Sequence, residues 1–298
     1  MKPNLFIVGA PKCGTTAWVE YLGSHPDVFF PARKEPSFFC PDLLPRQRVQ
    51  TLDEYLALFE GSGSASAVGE ASVTYLRSEV APAAIRAFNP DAKILILLRN
   101  QEDFLPSLHN QLVFNGEELI EDFEEAWRLS GKRRREDVPA CCNDVRLLDY
   151  KAAGRFSAQV ERYFSQFPPD QIRVLHFGDW VGDPRSAYVE IVRFLGLQDD
   201  GRTEFAPVNE ARHRRVKLFA RMVSDPPPLL LGLVNGVKRL AGVPSLGIAK
   251  RLLDIGTLEG SESRPSAMLR QEIRGFYASD NARTARRLWH PGDALADA

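Results

Sequence analysis

Two short, unbroken apolar runs stand out along the chain. Leu5-Phe6-Ile7-Val8 follows a polar start, and Ile94-Leu95-Ile96-Leu97-Leu98 lies between Lys93 and Arg99. A strand with one wet face would alternate, so continuous runs of this length read as strands buried on both faces of a parallel sheet. Around them the pattern predicts helices over residues 16–22 and 82–88, a short strand over 67–70 and a helix over 102–115. It continues with a helix over 145–167, a strand over 172–177 and a helix from Pro184 to Leu195-Gly196, with a first-turn proline and a glycine at the far end. Strands alternating with helices imply an α/β fold, a single domain whose parallel sheet is flanked by helices on both faces, with ligands beyond the carboxyl ends of the strands. Residues 61–66 read as a flexible loop. The polar, proline-rich or charge-rich segments 116–143 and 198–265 read as variable insertions around the mouth of the site.

Composition narrows the partners. With 298 residues and 44% hydrophobic content the chain can bury one large core. A formal charge of −1 provides no general polyanion-binding surface, so no nucleic-acid partner is expected and any anion must be held by a local cluster. The first strand begins within a few residues of Met1, leaving no room for a signal peptide, and a cytoplasmic location is expected. Cys13, Cys40, Cys141 and Cys142 lack metal-ligand spacing, and the vicinal pair cannot readily close an ordinary disulfide; reduced thiols are expected. No apolar run approaches the roughly 20 residues of a transmembrane helix. Residues 229–240 can pack on the domain or lie on a membrane surface, which leaves peripheral contact open. Oligomeric state is not readable.

The chemistry starts after the first strand, in Gly9-Ala10-Pro11-Lys12-Cys13-Gly14-Thr15-Thr16. A strand, a glycine-punctuated loop and a helix form a phosphate cradle of backbone N–H groups at a helix N-terminus. Gly9, Gly14 and Thr16 fit the G-x-x-x-x-G-K-[ST] spacing, but Thr15 stands at the lysine position and Lys12 inside the loop. The sheet is therefore P-loop-like, with a displaced lysine. Nucleotide triphosphatases place a magnesium-holding acid on a neighbouring strand, whereas the long apolar strand here ends in Arg99, a cation suited to a further phosphate. Ser107, eight residues on, can reach the same anion. A tight glycine turn, a surface Arg99 and an ordinary helical Ser107 are the bland alternatives.

Pro11-Lys12-Cys13-Gly14-Thr15-Thr16, with Leu98-Arg99-Asn100 and Ser107, resembles the sulfotransferases that use 3′-phosphoadenosine 5′-phosphosulfate. The pattern is similar to the heparan-sulfate and bacterial carbohydrate-type branch. The likeness extends through Lys34-Glu35-Pro36-Ser37-Phe38-Phe39, Gly69-Glu70-Ala71-Ser72-Val73-Thr74-Tyr75-Leu76 and Asp183-Pro184 to Phe194-Leu195-Gly196-Leu197, covering about residues 4–197. A weaker echo lies near Phe276-Tyr277 and Asp280-Asn281-Ala282. Residues 198–265 would then be an acceptor or donor-lid region and 266–290 C-terminal helices.

The resemblance implies that Lys12, Cys13, Gly14, Thr15 and Thr16 hold the 5′-phosphosulfate, and that Arg99 and Ser107 hold the 3′-phosphate. Lys12 would sit over the bridging oxygen as the leaving phosphate gains charge, with no metal required. Glu70 would be the general base that takes the acceptor proton. Lys34 is a candidate cation on the acceptor or cofactor side, and His109 a candidate on the acceptor side whose commoner fate is packing. Arg212 and Arg214 are candidates for the adenine side. The run Lys132-Arg133-Arg134-Arg135 can attract an anionic acceptor or stay solvated. Ser37, Cys40 and Phe156 stand where relatives often carry His, Asp and Tyr, which bears on the acceptor.

The implied activity is transfer of a sulfuryl group to a hydroxyl, less readily an amine, of a carbohydrate-like or other small-molecule acceptor. An ATP-dependent small-molecule kinase and a non-catalytic nucleotide-binding protein are the alternatives. Magnesium-dependent ATP binding would favour the first, and an absence of donor turnover the second.

Overall fold

The computed structural model describes residues 1–43, 48–140, 142, 144–206, 213–214, 257–258 and 265–288. The apolar runs form β1 (Leu5–Gly9) and β4 (Lys93–Leu98), and every residue of β1 is buried. With β2 (Val28–Phe29), β3 (Ala67–Ala71) and β5 (Ile172–His176) they make one parallel sheet in the order β2-β3-β1-β4-β5. Phe6 lies opposite Glu70 on one side and Ile94 on the other. The chain leaves β1 toward β2 and leaves β4 toward β5, in opposite directions along the sheet. A crevice therefore opens beyond the carboxyl ends of these two neighbours, where open α/β sheets bind ligands.

The helices α1 (Thr15–Gly23), α2 (Leu52–Ala57), α3 (Ala81–Phe88) and α4 (Gln101–Asn115) occupy the first half of the fold. Segment 116–143 is more than a loop. Asp122 accepts a hydrogen bond from the Glu125 N–H and starts α5 (Phe123–Arg128), which buries Phe123 and Trp127.

The single helix expected over 145–167 is a correction. A one-turn 3-10 helix (Val145–Leu148) is followed by α6 (Tyr150–Ala153) and α7 (Phe156–Phe164). Asp149 accepts from the Ala152 N–H and so starts a new helix, and Gly154 lies so close to Tyr277 that a Cβ there would be 2.6 Å from the ring. The edge strand β5 likewise stops at His176, whose ring accepts from the Gly178 N–H and caps α8 (Phe177–Gly182). Next come α9 (Pro184–Phe194) and a two-residue antiparallel pair, β6 (His213–Arg214) with β7 (Thr257–Leu258). The last helix, α10 (Ala267–Thr284), is bound to α4 and α7. Gln101 donates to Asn281 at 2.7 Å, Asp280 accepts from the Ser157 N–H at 3.1 Å, and Arg270 pairs with Asp103 at 3.1 Å. That docking fixes the start of α4 next to Arg99.

Candidate active site

The loop from β1 into α1 turns through two residues of positive φ, Lys12 at 61° and Gly14 at 88°. Glycine is needed at the second, because a Cβ on Gly14 would stand 2.3 Å from the Trp180 ring. The turn brings backbone N–H groups and the positive end of α1 to the crevice. Cations from three elements meet there. Lys34 donates to Thr15 Oγ1 at 3.2 Å and Thr16 Oγ1 at 3.1 Å, and its Nζ is 3.2 Å from Glu35 Oε1. Lys12 Nζ donates to Gln111 Oε1 on α4 at 3.3 Å. Arg99 reaches the Lys12 carbonyl at 3.5 Å, with its guanidinium 4.8 Å from the centre of the Phe177 ring. Ser107 is half-buried on α4, one turn before Gln111. Cys13 takes part only through its backbone: its thiol is fully buried, and burial drives its pKa far above the usual thiol range.

Two carboxylates compete for the base. Glu70 is fully enclosed on β3, with Oε1 accepting from Ser72 Oγ at 2.6 Å and Oε2 from Tyr55 OH at 3.0 Å. Burial pushes its pKa up to about 7, against the hydrogen bonds from Ser72, Tyr75 and Tyr55. Both oxygens are spent inside the core, so the expected contact between Glu70 and an acceptor is corrected: an acceptor cannot touch this group. Glu35 is placed otherwise. Its φ of 61° turns it back at the end of β3, its N–H donates to the Ala71 carbonyl at 3.0 Å, and its Oε2 accepts from the Val73 N–H at 2.8 Å. Its side chain is 36% exposed, beside the cation that touches the loop threonines.

A sulfotransferase-domain family model matches residues 2–213. The chain belongs to the sulfotransferase family. A solved sulfotransferase from Alicyclobacillus acidocaldarius is similar at 34% identity and a TM-score of 0.62, over 71% of this chain and 87% of that one. Among curated proteins, the bifunctional heparan sulfate N-deacetylase/N-sulfotransferase 1 of Mus musculus is 28% identical over 204 residues, and the type 3 protein of Homo sapiens is 24% identical over 200 residues. Each alignment covers 65% of this chain and 22% of the relative, so the chain spans about a fifth of their length.

In this sulfotransferase several expected side chains are used elsewhere. His109 is a correction: it is 1% exposed, with Nε2 2.8 Å from the Ile120 carbonyl and its ring packed on Phe123 and Tyr150, and burial lowers its pKa. Ser37 and Cys40 are also buried, the Cys40 thiol donating to the Ser37 carbonyl. The basic run is largely committed within its own segment. Arg133 pairs with Glu118 at 2.7 Å with both side chains buried, Arg134 lies 3.6 Å from Glu136, and Arg135 donates to the carbonyls of Ala140 and Cys142. Arg212 lies outside the described residues, as do residues 229–240 and Cys141. Arg214 is described only as backbone in β6. The residue that sequence reasoning passed over is Glu35, although it stands inside the recognised segment Lys34-Glu35-Pro36-Ser37-Phe38-Phe39. Its signal was adjacency to a lysine that reaches the loop threonines.

Proposed function

We propose that this sulfotransferase moves a sulfuryl group from 3′-phosphoadenosine 5′-phosphosulfate to an acceptor hydroxyl, less readily an amine, of a carbohydrate-like or other small molecule. The observation that carries the reading is the convergence of Lys12, Lys34 and Arg99 on one loop at a helix N-terminus, with the half-open carboxylate of Glu35 beside Lys34. These residues suit a donor with two separated anionic groups. The loop N–H groups, Thr15, Thr16 and Lys34 would hold the 5′-phosphosulfate, and Arg99 with Ser107 the 3′-phosphate. The donor supplies an activated sulfur–oxygen bond.

The protein supplies position and charge. Glu35 takes the proton of the acceptor as its oxygen bonds to sulfur. Lys12 stabilises the phosphate oxygen that keeps the electron pair of the broken bond. Gln111 steadies the Lys12 ammonium. The buried thiols of Cys13 and Cys40 support a reducing, cytoplasmic setting as part of the same reading.

The test is transfer of labelled sulfate from the nucleotide donor across an acceptor panel by the full chain. Lys12→Ala and Glu35→Gln should each lower kcat about 10²–10⁴-fold while leaving the circular dichroism spectrum unchanged. Product formation at wild-type rate in both variants would refute the assignment.

A further inference from the structure

The seam between α7 and α10 pairs its residues in order, with one gap. Phe276, Asp280 and Arg283 are spaced by four and three residues and so share one face of α10, and a 3-10 turn, Ala285–Arg287, carries the chain on to Arg287. From the other side, the Arg155 guanidinium lies 5.2 Å from the centre of the Phe276 ring. Ser157 donates through its N–H and its Oγ to the Asp280 carboxylate. Glu161 accepts two bonds from Arg287, at 2.8 Å and 2.9 Å, and the same guanidinium stands 4.3 Å from the centre of the Phe164 ring. The residue after Ser157 is Ala158, exposed and with no side chain to reach across the seam.

A cavity of about 550 Å³ opens at this gap, lined by Ser157, Ala158 and Glu161 from α7 and by Arg283, Arg286 and Arg287 from the other wall. Three guanidinium groups border it against one lining carboxylate, Glu161, whose two oxygens are both bonded to Arg287. The other carboxylate on the seam, Asp280, is 3% exposed and held by Ser157. Arg283 and Arg286 are exposed, and neither makes a hydrogen bond or ion pair with another described residue. A guanidinium presents a planar fork of N–H donors that matches two oxygens of a sulfate or phosphate group. The volume suits a small organic molecule and exceeds what a bare oxyanion fills. Ala158 and the methylene stems of the lining arginines can meet the rest of such a molecule.

We infer that the cavity between α7 and the end of α10 is a second anion site, which takes the sulfate or phosphate monoester of a sugar-sized molecule through Arg283 and Arg286. None of its lining residues belongs to the donor cradle, so the inference stands apart from the function proposed above.

The experiment is isothermal titration calorimetry of the full chain at low ionic strength with glucose 6-sulfate, glucose 6-phosphate, inorganic sulfate and glucose. A chain carrying both Arg283→Ala and Arg286→Ala keeps the donor cradle unaltered, so the difference between it and the wild type isolates the cavity. The wild type should show a binding event for the sugar esters that is at least about tenfold weaker in the double variant, with the same circular dichroism spectrum in both. Glucose should bind neither protein, and the two ester arms show which oxyanion is preferred. Arg283→Lys with Arg286→Lys keeps both charges and removes the forks. It should weaken ester binding at least about threefold, and it supplies the comparison if the alanine chain does not fold. Equal affinity of wild type and variant for both esters overturns the inference. Inorganic sulfate bound at the cavity as tightly as the esters overturns the monoester assignment.

Discussion

Replacing Glu70 by glutamine separates a buried structural carboxyl from a catalytic base. The group is fully enclosed, bonded to Ser72 and Tyr55, and its pKa rises from an ordinary 4.5 to about 7 because burial disfavours the charge. The negative field of Glu35 adds to the rise. A carboxyl whose folded pKa exceeds its unfolded one binds its proton more tightly when folded. Its contribution to stability is therefore complete below about pH 4.5 and is lost as pH rises through about 7. At about 1.4 kcal/mol per unit, the loss across that window is about 3 kcal/mol. Glutamine has the same shape and no proton to lose. Urea unfolding at pH 5 and pH 8 should show Glu70→Gln gaining about 3 kcal/mol on the wild type between the two. Sulfate transfer by the variant should stay within about threefold, against a loss of about 10²–10⁴-fold in Glu35→Gln. A stability difference that does not move with pH would refute the buried-carboxyl argument. A hundredfold loss of activity in folded Glu70→Gln would return the base to Glu70.

Gly14→Ala puts a Cβ at a left-handed position 2.3 Å from Trp180, which costs about 1–2 kcal/mol in backbone alone. Differential scanning fluorimetry should show Tm lower by at least about 2 °C, and an unchanged Tm would contradict the packing described for the loop. Glu118→Gln leaves Arg133 charged and buried, with side-chain exposures of 7% and 1% in the pair. The expected loss in urea unfolding is about 3–5 kcal/mol, and a loss below about 1 kcal/mol would mean that Arg133 is solvated.

The sheet centre was legible because burial on both faces leaves a local mark. Ile94-Leu95-Ile96-Leu97-Leu98 has no polar position to alternate, and neither does Leu5-Phe6-Ile7-Val8. The loop was legible for a similar reason, since glycine and threonine at those spacings are what a strand-to-helix turn with a phosphate cradle requires. Tertiary partners leave no such mark. The continuous pattern over 145–167 hid two breaks, one set by a capping bond at Asp149 and the other by the approach of Tyr277, more than a hundred residues away, to Gly154. The run Lys132-Arg133-Arg134-Arg135 looked like an anion patch because Glu118, the partner of Arg133, comes fifteen residues earlier in a stretch with no periodicity.

The same reasoning explains why Glu70 stood out in the sequence and Glu35 did not. Both Glu35 and Glu70 occupy recognised segments, and Glu70 sits on a strand that does enter the crevice. Every residue of β3 is buried, however, and Tyr55, which takes one oxygen of Glu70, comes from a helix that periodicity did not reveal. Glu35 owes its place to a backbone turn of φ 61°, unusual for a residue with a side chain, and to a neighbouring lysine that holds both loop threonines. The displaced Lys12 follows the same geometry. At φ 61° it stands in the loop ahead of α1 and donates to Gln111, so its ammonium meets the site from the side of α4, while Lys34, from the segment after β2, covers the threonines. A lysine in the ordinary position, replacing Thr15, would start α1 at a residue that is 5% exposed and would compete with Lys34 for the same space. The shift of one lysine along the loop thus makes room for a second cation beside Glu35.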